Sequence, residues 1–330
     1  MSKMTVGLIS SAHVHADSYV EILKSCDAFH FIGVWDDDQN RGKRFCNLHG
    51  VDYFDRFEDL ISTCECVVVT SENVKHKEHI IKCAGKVKGI LCEKPLAPTI
   101  DDAQKMIEVC AKQGTNLCTA FPVRFHPVSK RVKEIVVSKE LGEIKMIIST
   151  NRGKVPPGWF TSPELSGGGA IMDHVVHVVD FLRWSTGKEF RTVRTSLGRQ
   201  INKGLQVEDC AILELKLEEI PVTLDCSWGM PVSYPYWGEV KIRLILEKGV
   251  IEADVFSQNI VFRSNESHHE EWINYGDNAD EVMLLSFADF IRYGTDFPTA
   301  KDGLEATRVV EKAYESVKLN REVVIHGEER

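Results

Sequence analysis

Residues 5–36, TVGLISSAHVHADSYVEILKSCDAFHFIGVWD, decide the fold of this chain. Residues 5–10 and 29–36 are mostly apolar, and residues 17–25 between them carry apolar side chains at helical spacing. Continuous apolar runs are typical of parallel strands that are buried on both faces. The segment therefore predicts a strand, a helix and a second strand, which together begin a doubly wound parallel sheet.

The same alternation continues through the first third of the chain. Apolar runs predict further strands at residues 66–70, 89–92 and 116–120, and helix-period segments lie at 75–83 and 99–114. This repetition predicts an α/β fold with an N-terminal Rossmann-type doubly wound parallel sheet, a fold that binds dinucleotides.

After Pro122 several strand-like segments alternate apolar with polar residues, as KIRLIL does at residues 241–246. Such alternation is typical of antiparallel sheets with one solvated face, so we predict a C-terminal α+β domain with a large, mainly antiparallel open sheet. We expect a dinucleotide-binding domain at residues 1–122 and a substrate-binding and oligomerisation domain at residues 123–330. Strands are predicted at residues 142–151, 192–197, 209–217, 222–228, 239–247, 250–254 and 259–262, and helices at 131–138, 173–184, 281–292 and 303–319.

The charge balance and the start of the chain exclude several classes of protein. The 330 residues carry 40 lysines and arginines against 49 aspartates and glutamates, a net charge of -9. This acidic excess argues against nucleic acid binding, and no apolar run approaches the ~18 residues of a membrane span. The opening MSKMTVGLIS lacks the layout of a signal peptide. We therefore expect a soluble cytoplasmic protein with no nucleic acid or membrane partner.

The ten cysteines include no Cys-x-x-Cys pair. Zinc ribbons and thioredoxin-like sites need that spacing. We therefore expect reduced, buried thiols.

The turn after the first strand is where this fold binds a pyrophosphate, against the amide groups of a helix N-terminus. Residues 10–15 read SSAHVH where G-x-G-x-x-G is usual, so all three glycines are replaced. Ser10 and Ala12 are still small, and the hydroxyl and imidazole groups of the turn offer donors to phosphate oxygens. Asp36 ends the second strand, where a carboxylate accepts hydrogen bonds from a ribose. A solvated turn at residues 36–38 is the alternative.

Glu93-Lys94-Pro95 follows the predicted strand at residues 89–92. Ligands of open α/β sheets bind beyond the carboxyl ends of the strands. The ammonium group of Lys94 can therefore stabilise an alkoxide that forms on a substrate. A surface lysine is the alternative.

Residues 167–180, GGGAIMDHVVHVVD, place acidic and imidazole side chains on a helix after three glycines. Asp173 and His177 are four residues apart and share one face, so the carboxylate can fix the imidazole tautomer and make a general base. An apolar core helix is the alternative. A zinc site is another, since His174 and His177 are three residues apart, but a clear further ligand is missing and we predict no metal.

Together these motifs resemble the Gfo/Idh/MocA family of nicotinamide-dependent oxidoreductases, which act mainly on sugars, cyclic polyols and related compounds. The similarity runs from the first strand to the last helix. The SSAHVH turn and Val175, which replaces a family glycine, depart from the pattern and are similar to a subgroup with an Ala-His-x-His turn. The matching motifs are Glu93-Lys94-Pro95, Asn73-x-x-His76, Arg124-Phe-x-Pro127 and residues 167–180.

The resemblance implies hydride transfer between NAD, with NADP as the alternative cofactor, and a secondary alcohol of a sugar-like molecule. It implies that Lys94, Asp173 and His177 form the catalytic triad. The residues predicted to contact the cofactor are Ser10, Ser11, Ala12, His13, His15, Asp36, Ser71, Asn73, His76, Glu93 and Lys94. Arg124, Trp159 and His174 are predicted to contact the substrate.

Two other functions stay open at this point. One is a sugar- or dinucleotide-sensing regulator that has lost turnover, which the missing glycines favour. The other is a lyase or glycosidase in which NAD acts transiently and is regenerated. Lys94, Asp173 and His177 favour the dehydrogenase. We also expect a homodimer or homotetramer that forms through the C-terminal sheet.

Overall fold

The apolar runs of the N-terminal third form a parallel sheet in the computed structural model of this chain, which describes residues 2–257, 259–262, 271–274 and 276–326. The strands are β1 (Met4–Ile9), β2 (Phe29–Trp35), β3 (Cys66–Val69), β4 (Gly89–Cys92) and β5 (Asn116–Thr119). They pair in the order β2-β1-β3-β4-β5, and every pair is parallel. The predicted Rossmann-type sheet is therefore confirmed.

Helices connect these strands as a doubly wound sheet requires. They are α1 (His15–Ser25), α2 (Gln39–His49), α3 (Phe57–Thr63), α4 (His76–Cys83) and α5 (Ile100–Lys112). The strands β3 and β4 are buried at every position, and Val67, Val69 and Ile90 belong to one apolar core. Burial on both faces is the physical reason why these strands are apolar without alternation.

The carboxyl ends of the parallel strands place predicted site residues at one edge of the sheet. Ser10 follows β1, Asp36 follows β2, Ser71 lies just beyond β3, and Lys94 lies just beyond β4. The strand β1 lies between β2 and β3, so the strand order reverses there. Such a switch point is where open α/β sheets bind ligands.

A second sheet of seven strands is mixed and mainly antiparallel, as predicted. Its strands are β6 (Ile144–Gly153), β7 (Phe190–Leu197), β8 (Cys210–Leu217), β9 (Ile220–Ser227), β10 (Gly238–Leu246), β11 (Gly249–Asp254) and β14 (Val323–Val324). They pair in the order β11-β10-β6-β9-β8-β7-β14, and β6 with β9 is the parallel pair. A separate hairpin is formed by β12 (Asn259–Phe262) and β13 (Glu271–Asn274).

The remaining helices are α6 (Pro127–Ser138), α7 (Pro163–Ser166), α8 (Ala170–Thr186), α9 (Ala279–Tyr293) and α10 (Ala300–Leu319). The chain divides into two compact units. As far as they are described, residues 1–121, 157–168 and 280–311 form the first unit, and residues 122–156, 169–279 and 312–330 form the second. Each unit is described by its own contacts below.

Some elements differ from the sequence pattern. The helices α2 and α3 are not indicated by it, because α2 is mostly polar, with only Gly42, Phe45 and Cys46 buried, and α3 is only seven residues long. The segment between β6 and α8, for which the pattern indicates no helix, contains the short helix α7 and a 3-10 turn at Gly158–Thr161. Among the described residues, no helix combines the length and apolar character needed to cross a membrane. All ten cysteines are free thiols, and eight are buried.

Candidate cofactor and active site

The turn between β1 and α1 takes a left-handed backbone conformation at its first residue. Ser10 has a φ of 69°, which glycine adopts readily and other residues adopt at a cost of about 1–2 kcal/mol. Two backbone contacts hold it there: the Ser10 amide donates to Trp35 O at 2.6 Å, and Thr70 Oγ1 donates to Ser10 O at 2.5 Å. Ser10, at the position of the first glycine of the usual pattern, therefore keeps a backbone conformation that glycine adopts readily.

Five amide groups of this turn already donate within the protein, at distances of 2.8 to 3.3 Å. The donors are Ser11, Ala12, His13, His15 and Ala16, and their acceptors are Asp36 Oδ2, Ser10 Oγ, Thr70 O, His13 Nδ1 and His13 O respectively. A phosphate group at this turn would therefore find these five amide groups engaged and would need side-chain donors as well. The ring of His15 is 31% exposed and can supply one of them.

Asp36 lies at the end of β2, where the sequence predicts a ribose acceptor, but its carboxylate is occupied by the protein itself. Oδ2 accepts from the Ser11 amide at 2.8 Å, from Ser11 Oγ at 2.7 Å and from Arg41 Nε at 3.0 Å. Oδ1 accepts from the Asp38 amide at 2.9 Å and from Arg41 Nη2 at 2.7 Å. The sequence pattern does not indicate this contact of Arg41.

Arg41 also contacts other groups at the same edge of the sheet. Its Nη1 donates to Glu72 Oε1 at 2.9 Å, and its Nη2 lies 3.1 Å from Ser10 Oγ and 3.1 Å from Asp37 Oδ1. Burial alone would lower the pKa of Arg41, but Asp36 and Glu72 raise it above its ordinary value. The guanidinium therefore connects the phosphate turn, the end of β2 and the segment after β3.

Glu93 connects the same turn to Lys94. Its Oε1 accepts from Tyr19 Oη at 2.5 Å and lies 2.9 Å from His15 Nδ1, and its Oε2 accepts from the Lys94 amide at 3.1 Å. Burial alone would raise the pKa of Glu93, but the charges of His13 and His15 hold it well below its ordinary value. Burial alone would lower the pKa of His15, and Glu93 raises it above 6.5. His15 therefore keeps its proton to a higher pH than an ordinary histidine.

His13, His15 and Glu93 place three possible metal-ligand atoms within 4.8 Å of one another. His13 Nδ1 accepts from the His15 amide at 3.1 Å, so a neutral His13 ring carries its proton on Nε2, the nitrogen nearest Glu93. His15 Nδ1 also donates its proton to the Glu93 carboxylate. In this hydrogen-bonded state both nitrogens carry protons, which a metal ion would have to displace. The arrangement is a hydrogen-bonded acid–base cluster, and the lack of a metal stays a prediction.

Trp159, predicted to contact substrate, contacts the phosphate turn within the first unit. Its Nε1 donates to Ala12 O at 2.9 Å, and its ring stacks on Phe160 with centroids 3.9 Å apart. The Phe160 ring meets the edge of His13 at 5.2 Å. These aromatic side chains support the turn, and a substrate contact by Trp159 stays a prediction.

Three predicted cofactor residues beyond β3 are buried and hydrogen-bonded to the protein. Asn73 Nδ2 donates to Ser166 O at 2.8 Å, and Ser71 Oγ lies 3.0 Å from the ring of the neighbouring His79. His76 lies with one ring nitrogen 3.1 Å from Pro95 O and the other 3.1 Å from Ser71 O. His76 therefore fixes the turn that follows β4, and a direct cofactor contact by any of the three stays a prediction.

In the second unit, α8 carries Asp173, His174 and His177. Asp173 Oδ2 accepts from Trp228 Nε1 at 3.1 Å and lies 3.2 Å from His174 Nε2. His174 Nδ1 lies 2.9 Å from Asn151 O and donates its proton to that carbonyl oxygen. His177 lies one turn further along α8 and is half-buried. The pattern indicates the helix but not the role of Trp228.

Arg124, also predicted to contact substrate, forms a buried ion pair. Its Nε and Nη2 donate to Asp180 at 2.7 Å and 2.5 Å, and its guanidinium lies 5.8 Å from the centre of the Trp184 ring. Arg124 is 5% exposed and Asp180 is fully buried. The pair anchors α8, and a substrate contact by Arg124 stays a prediction.

A carboxylate accepts hydrogen bonds from backbone amides at the start of α8, just after the three glycines. The sequence does not indicate this contact. Glu208 Oε1 accepts from the amides of Gly169 and Ile171 at 3.0 Å and from Tyr314 Oη at 2.8 Å. Burial raises the pKa of Glu208 despite these donors. A Cβ at Gly169 would lie 1.9 Å from Glu208 O, so this glycine is required for close approach. The helix N-terminus is therefore capped and offers no free anion site.

Comparison with known proteins matches two parts of the chain to one family. Residues 5–121 match the model of an oxidoreductase family with an NAD-binding Rossmann fold, and residues 129–252 match the GFO/IDH/MocA C-terminal domain. The chain is 25% identical to glucose-6-phosphate 3-dehydrogenase of Bacillus subtilis over 94% of this chain and 95% of that protein. It is 23% identical to inositol 2-dehydrogenase 3 of Saccharopolyspora erythraea over 94% of this chain and 92% of that protein.

The fold is also similar to solved structures. GenD2 from gentamicin A biosynthesis, solved in complex with NAD, superposes with a TM-score of 0.89 at 20% identity and covers 99% of this chain and 97% of that chain. At this identity the similarity shows the fold alone. The two family matches include the motifs after β4 and along α8. Together they show that the chain belongs to the Gfo/Idh/MocA family of NAD(P)-dependent oxidoreductases.

Proposed function

We propose that this protein is a dehydrogenase that oxidises a secondary alcohol of a sugar, a cyclic polyol or a related small molecule. The proposal rests on one observation: the chain has all three reactive side chains of the family pattern. Lys94 follows β4 in the first unit, and Asp173 and His177 lie four residues apart on α8 in the second. Inositol and glucose 6-phosphate, named for two relatives, support this substrate class.

The proposed roles follow from the chemistry of these side chains. His177 takes the proton of the substrate hydroxyl as general base, Asp173 orients and supports it, and the Lys94 ammonium stabilises the alkoxide. The bound nicotinamide would supply the hydride acceptor. Trp228 Nε1 donates a hydrogen bond to the Asp173 carboxylate, and His174 Nε2 lies 3.2 Å from it, so both side chains position Asp173 for this role.

The proposed cofactor is NAD. Asp36 and its neighbours Asp37 and Asp38 repel a 2′-phosphate, and a carboxylate at the end of the second strand is a typical acceptor for ribose hydroxyls. At the turn of residues 10–15, the partly exposed His15 ring would supply a donor to the pyrophosphate beside the engaged amide groups of Ser11, Ala12 and His13.

The sensing function is the second candidate, and the engaged Asp36 carboxylate favours it. One screen distinguishes the dehydrogenase, the sensor and the lyase that regenerates its NAD. The purified protein is incubated with NAD and a panel of polyols and sugar phosphates. Steady formation of NADH supports the dehydrogenase. Conversion of a substrate without NADH release supports the lyase, and binding of ligands without any turnover supports the sensor.

We also propose that the protein pairs through one face of the seven-stranded sheet. Met146, Ile148 and Ile212 lie on the same face and are 38%, 39% and 54% exposed. Exposed apolar side chains on one sheet face are typical of a self-association surface. Sedimentation of the wild type and of Ile148→Asp tests this: the wild type should be a dimer or tetramer, and the variant should dissociate. A monomeric wild type would contradict the proposal.

A further inference from the structure

The backbone turn that begins α8 determines where Asp173 lies. Asp173 is the fourth residue of this helix, and its amide donates to Gly169 O at 3.0 Å, the first hydrogen bond within the helix. The earlier amides of the turn have no partner inside α8, and Gly169 has no side chain that could accept from them. Another part of the chain must therefore hold this turn.

Glu208 accepts hydrogen bonds from three successive amides of the turn. Its Oε1 accepts from the Gly169 and Ile171 amides at 3.0 Å, and its backbone O accepts from the Ala170 amide at 2.9 Å. Tyr314 Oη donates to the same Oε1 at 2.8 Å and holds the carboxylate. An ionised carboxylate only accepts hydrogen bonds, and it binds donors more strongly than a neutral group does. One residue therefore fixes the backbone that carries Asp173.

The next residue, Asp209, supports the side chain of Asp173. Its backbone O accepts from the Trp228 amide at 2.8 Å, and Trp228 Nε1 donates to Asp173 Oδ2 at 3.1 Å. The buried Asp209 carboxylate accepts from the amides of Ile201 and Asn202 at 3.1 Å and 2.7 Å, which fixes the segment itself. Two consecutive residues of one loop therefore hold Asp173, one at its backbone and one at its carboxylate.

On the basis of the proposed dehydrogenase function, we propose that Glu208 is a positioning residue for the general base. It fixes the backbone turn that carries Asp173, and Asp173 orients His177. A displacement of about 1 Å at a reacting group can cost about 10²-fold in rate. Loss of the Glu208 side chain therefore lowers kcat, while the affinities for substrate and cofactor change little.

The test compares the wild type with Glu208→Ala, Glu208→Gln, Glu208→Asp and the control Glu214→Ala. Alanine removes the side-chain acceptors, whereas glutamine keeps one acceptor oxygen at the same reach. Aspartate keeps the charge but is one methylene shorter. Glu214 is exposed on β8, so Glu214→Ala removes an equal charge at the surface of the same unit.

Two quantities are measured in each variant of the full chain. The first is the resonance of the Trp228 indole N–H in a proton–nitrogen correlation spectrum, assigned with Trp228→Phe, because the hydrogen bond to Asp173 moves this proton downfield. The second is kcat for NADH formation on a polyol that the screen identifies, together with KM and the Kd for NAD. Thermal unfolding checks that each variant folds.

We expect Glu208→Ala to move the Trp228 resonance upfield and to lower kcat about 10- to 100-fold, with KM and the Kd for NAD within about twofold of the wild type. Glu208→Gln should recover most of both losses. Glu208→Asp should resemble Glu208→Ala, because the shorter side chain does not reach both amides, and it decides the matter if Glu208→Ala does not fold. Glu214→Ala should behave as the wild type.

An unchanged Trp228 resonance in the alanine and aspartate variants would overturn the inference, and so would a kcat within about twofold of the wild type. A Glu208→Gln variant as slow as Glu208→Ala would also overturn it, since the acceptor oxygen would then not be the group that acts. If the wild type forms no NADH with any polyol, the proposed function fails. The Trp228 resonance needs no turnover and still shows whether Glu208 holds Asp173, so the two failures are distinguishable.

Discussion

His15 Nδ1 lies 2.9 Å from Glu93 Oε1, so the first residue of α1 is bonded to the residue that precedes Lys94. The same carboxylate accepts the Lys94 amide. A side chain that replaces a fingerprint glycine is therefore connected, through one buried acid, to the predicted catalytic lysine. Because of this connection, the protonation of the His15 ring should have a measurable effect on the stability of the protein.

The first prediction concerns this pH dependence. Since Glu93 raises the pKa of His15, the stabilisation from the protonated pair is fully present below the unfolded value of 6.5 and is lost as the pH rises through the higher folded value. Urea unfolding of the wild type should show a free energy of unfolding that falls over this range. His15→Gln should remove the fall, and the exposed His30→Gln should keep it. A fall of equal size in His15→Gln would contradict the assignment.

The second prediction concerns the left-handed residue of the turn. Ser10→Gly and Ser10→Ala both remove the hydroxyl, but only alanine keeps a Cβ at a φ of 69°. We expect the glycine variant to be more stable than the alanine variant by about 1 kcal/mol, the reverse of the order in a helix or strand. Denaturant unfolding of the two variants measures the difference. Equal stabilities, or a more stable alanine variant, would show that the turn relaxes.

The sequence predicts the strands well because buried parallel strands are apolar without interruption. It predicts the ends of β1, β2 and β4, where Ser10, Asp36 and Lys94 lie, because the alternation of strands and helices fixes the edge of the sheet. It does not predict Arg41 on Asp36, since the polar helix α2 has little apolar periodicity. The sequence also does not predict that Glu208 caps the N-terminus of α8. This contact joins residues 39 positions apart, and no local sequence pattern around Glu208 indicates it.

The third prediction concerns that N-terminus. A Cβ at Gly169 would meet Glu208 O, so Gly169→Ala must shift the loop or the start of α8. We expect a loss of about 1–3 kcal/mol, the usual cost of overpacking. Gly249→Ala is the matched control, because its Cβ would lie 3.7 Å from Leu141, at ordinary contact distance. Chemical unfolding should separate the two variants, and similar losses in both would contradict the contact.

The fourth prediction concerns the buried pair of Arg124 and Asp180. Asp180→Ala leaves a buried guanidinium without this carboxylate and should cost about 3–5 kcal/mol of unfolding free energy. Replacing both residues by leucine should recover much of that loss, because no buried charge is left. Denaturant unfolding of the single and double variants measures this coupling. A double variant that loses as much unfolding free energy as Asp180→Ala, or more, would show that the ion pair is not the main interaction of either residue.

The double variant also tests the substrate role predicted for Arg124. If Arg124 serves only to anchor α8, the stable double variant should keep the KM of the wild type. A KM that rises while the unfolding free energy is recovered would instead support a direct contact between Arg124 and the substrate.

The most direct test of the dehydrogenase is the rate of NADH formation by the wild type and by His177→Ala on a polyol that the screen identifies. We expect the rate to fall about 10²–10⁴-fold in the variant, the range for loss of a positioned general base, while the Kd for NAD is unchanged. The exposed His30→Ala should behave as the wild type. A His177→Ala variant that forms NADH at the wild-type rate would contradict the account.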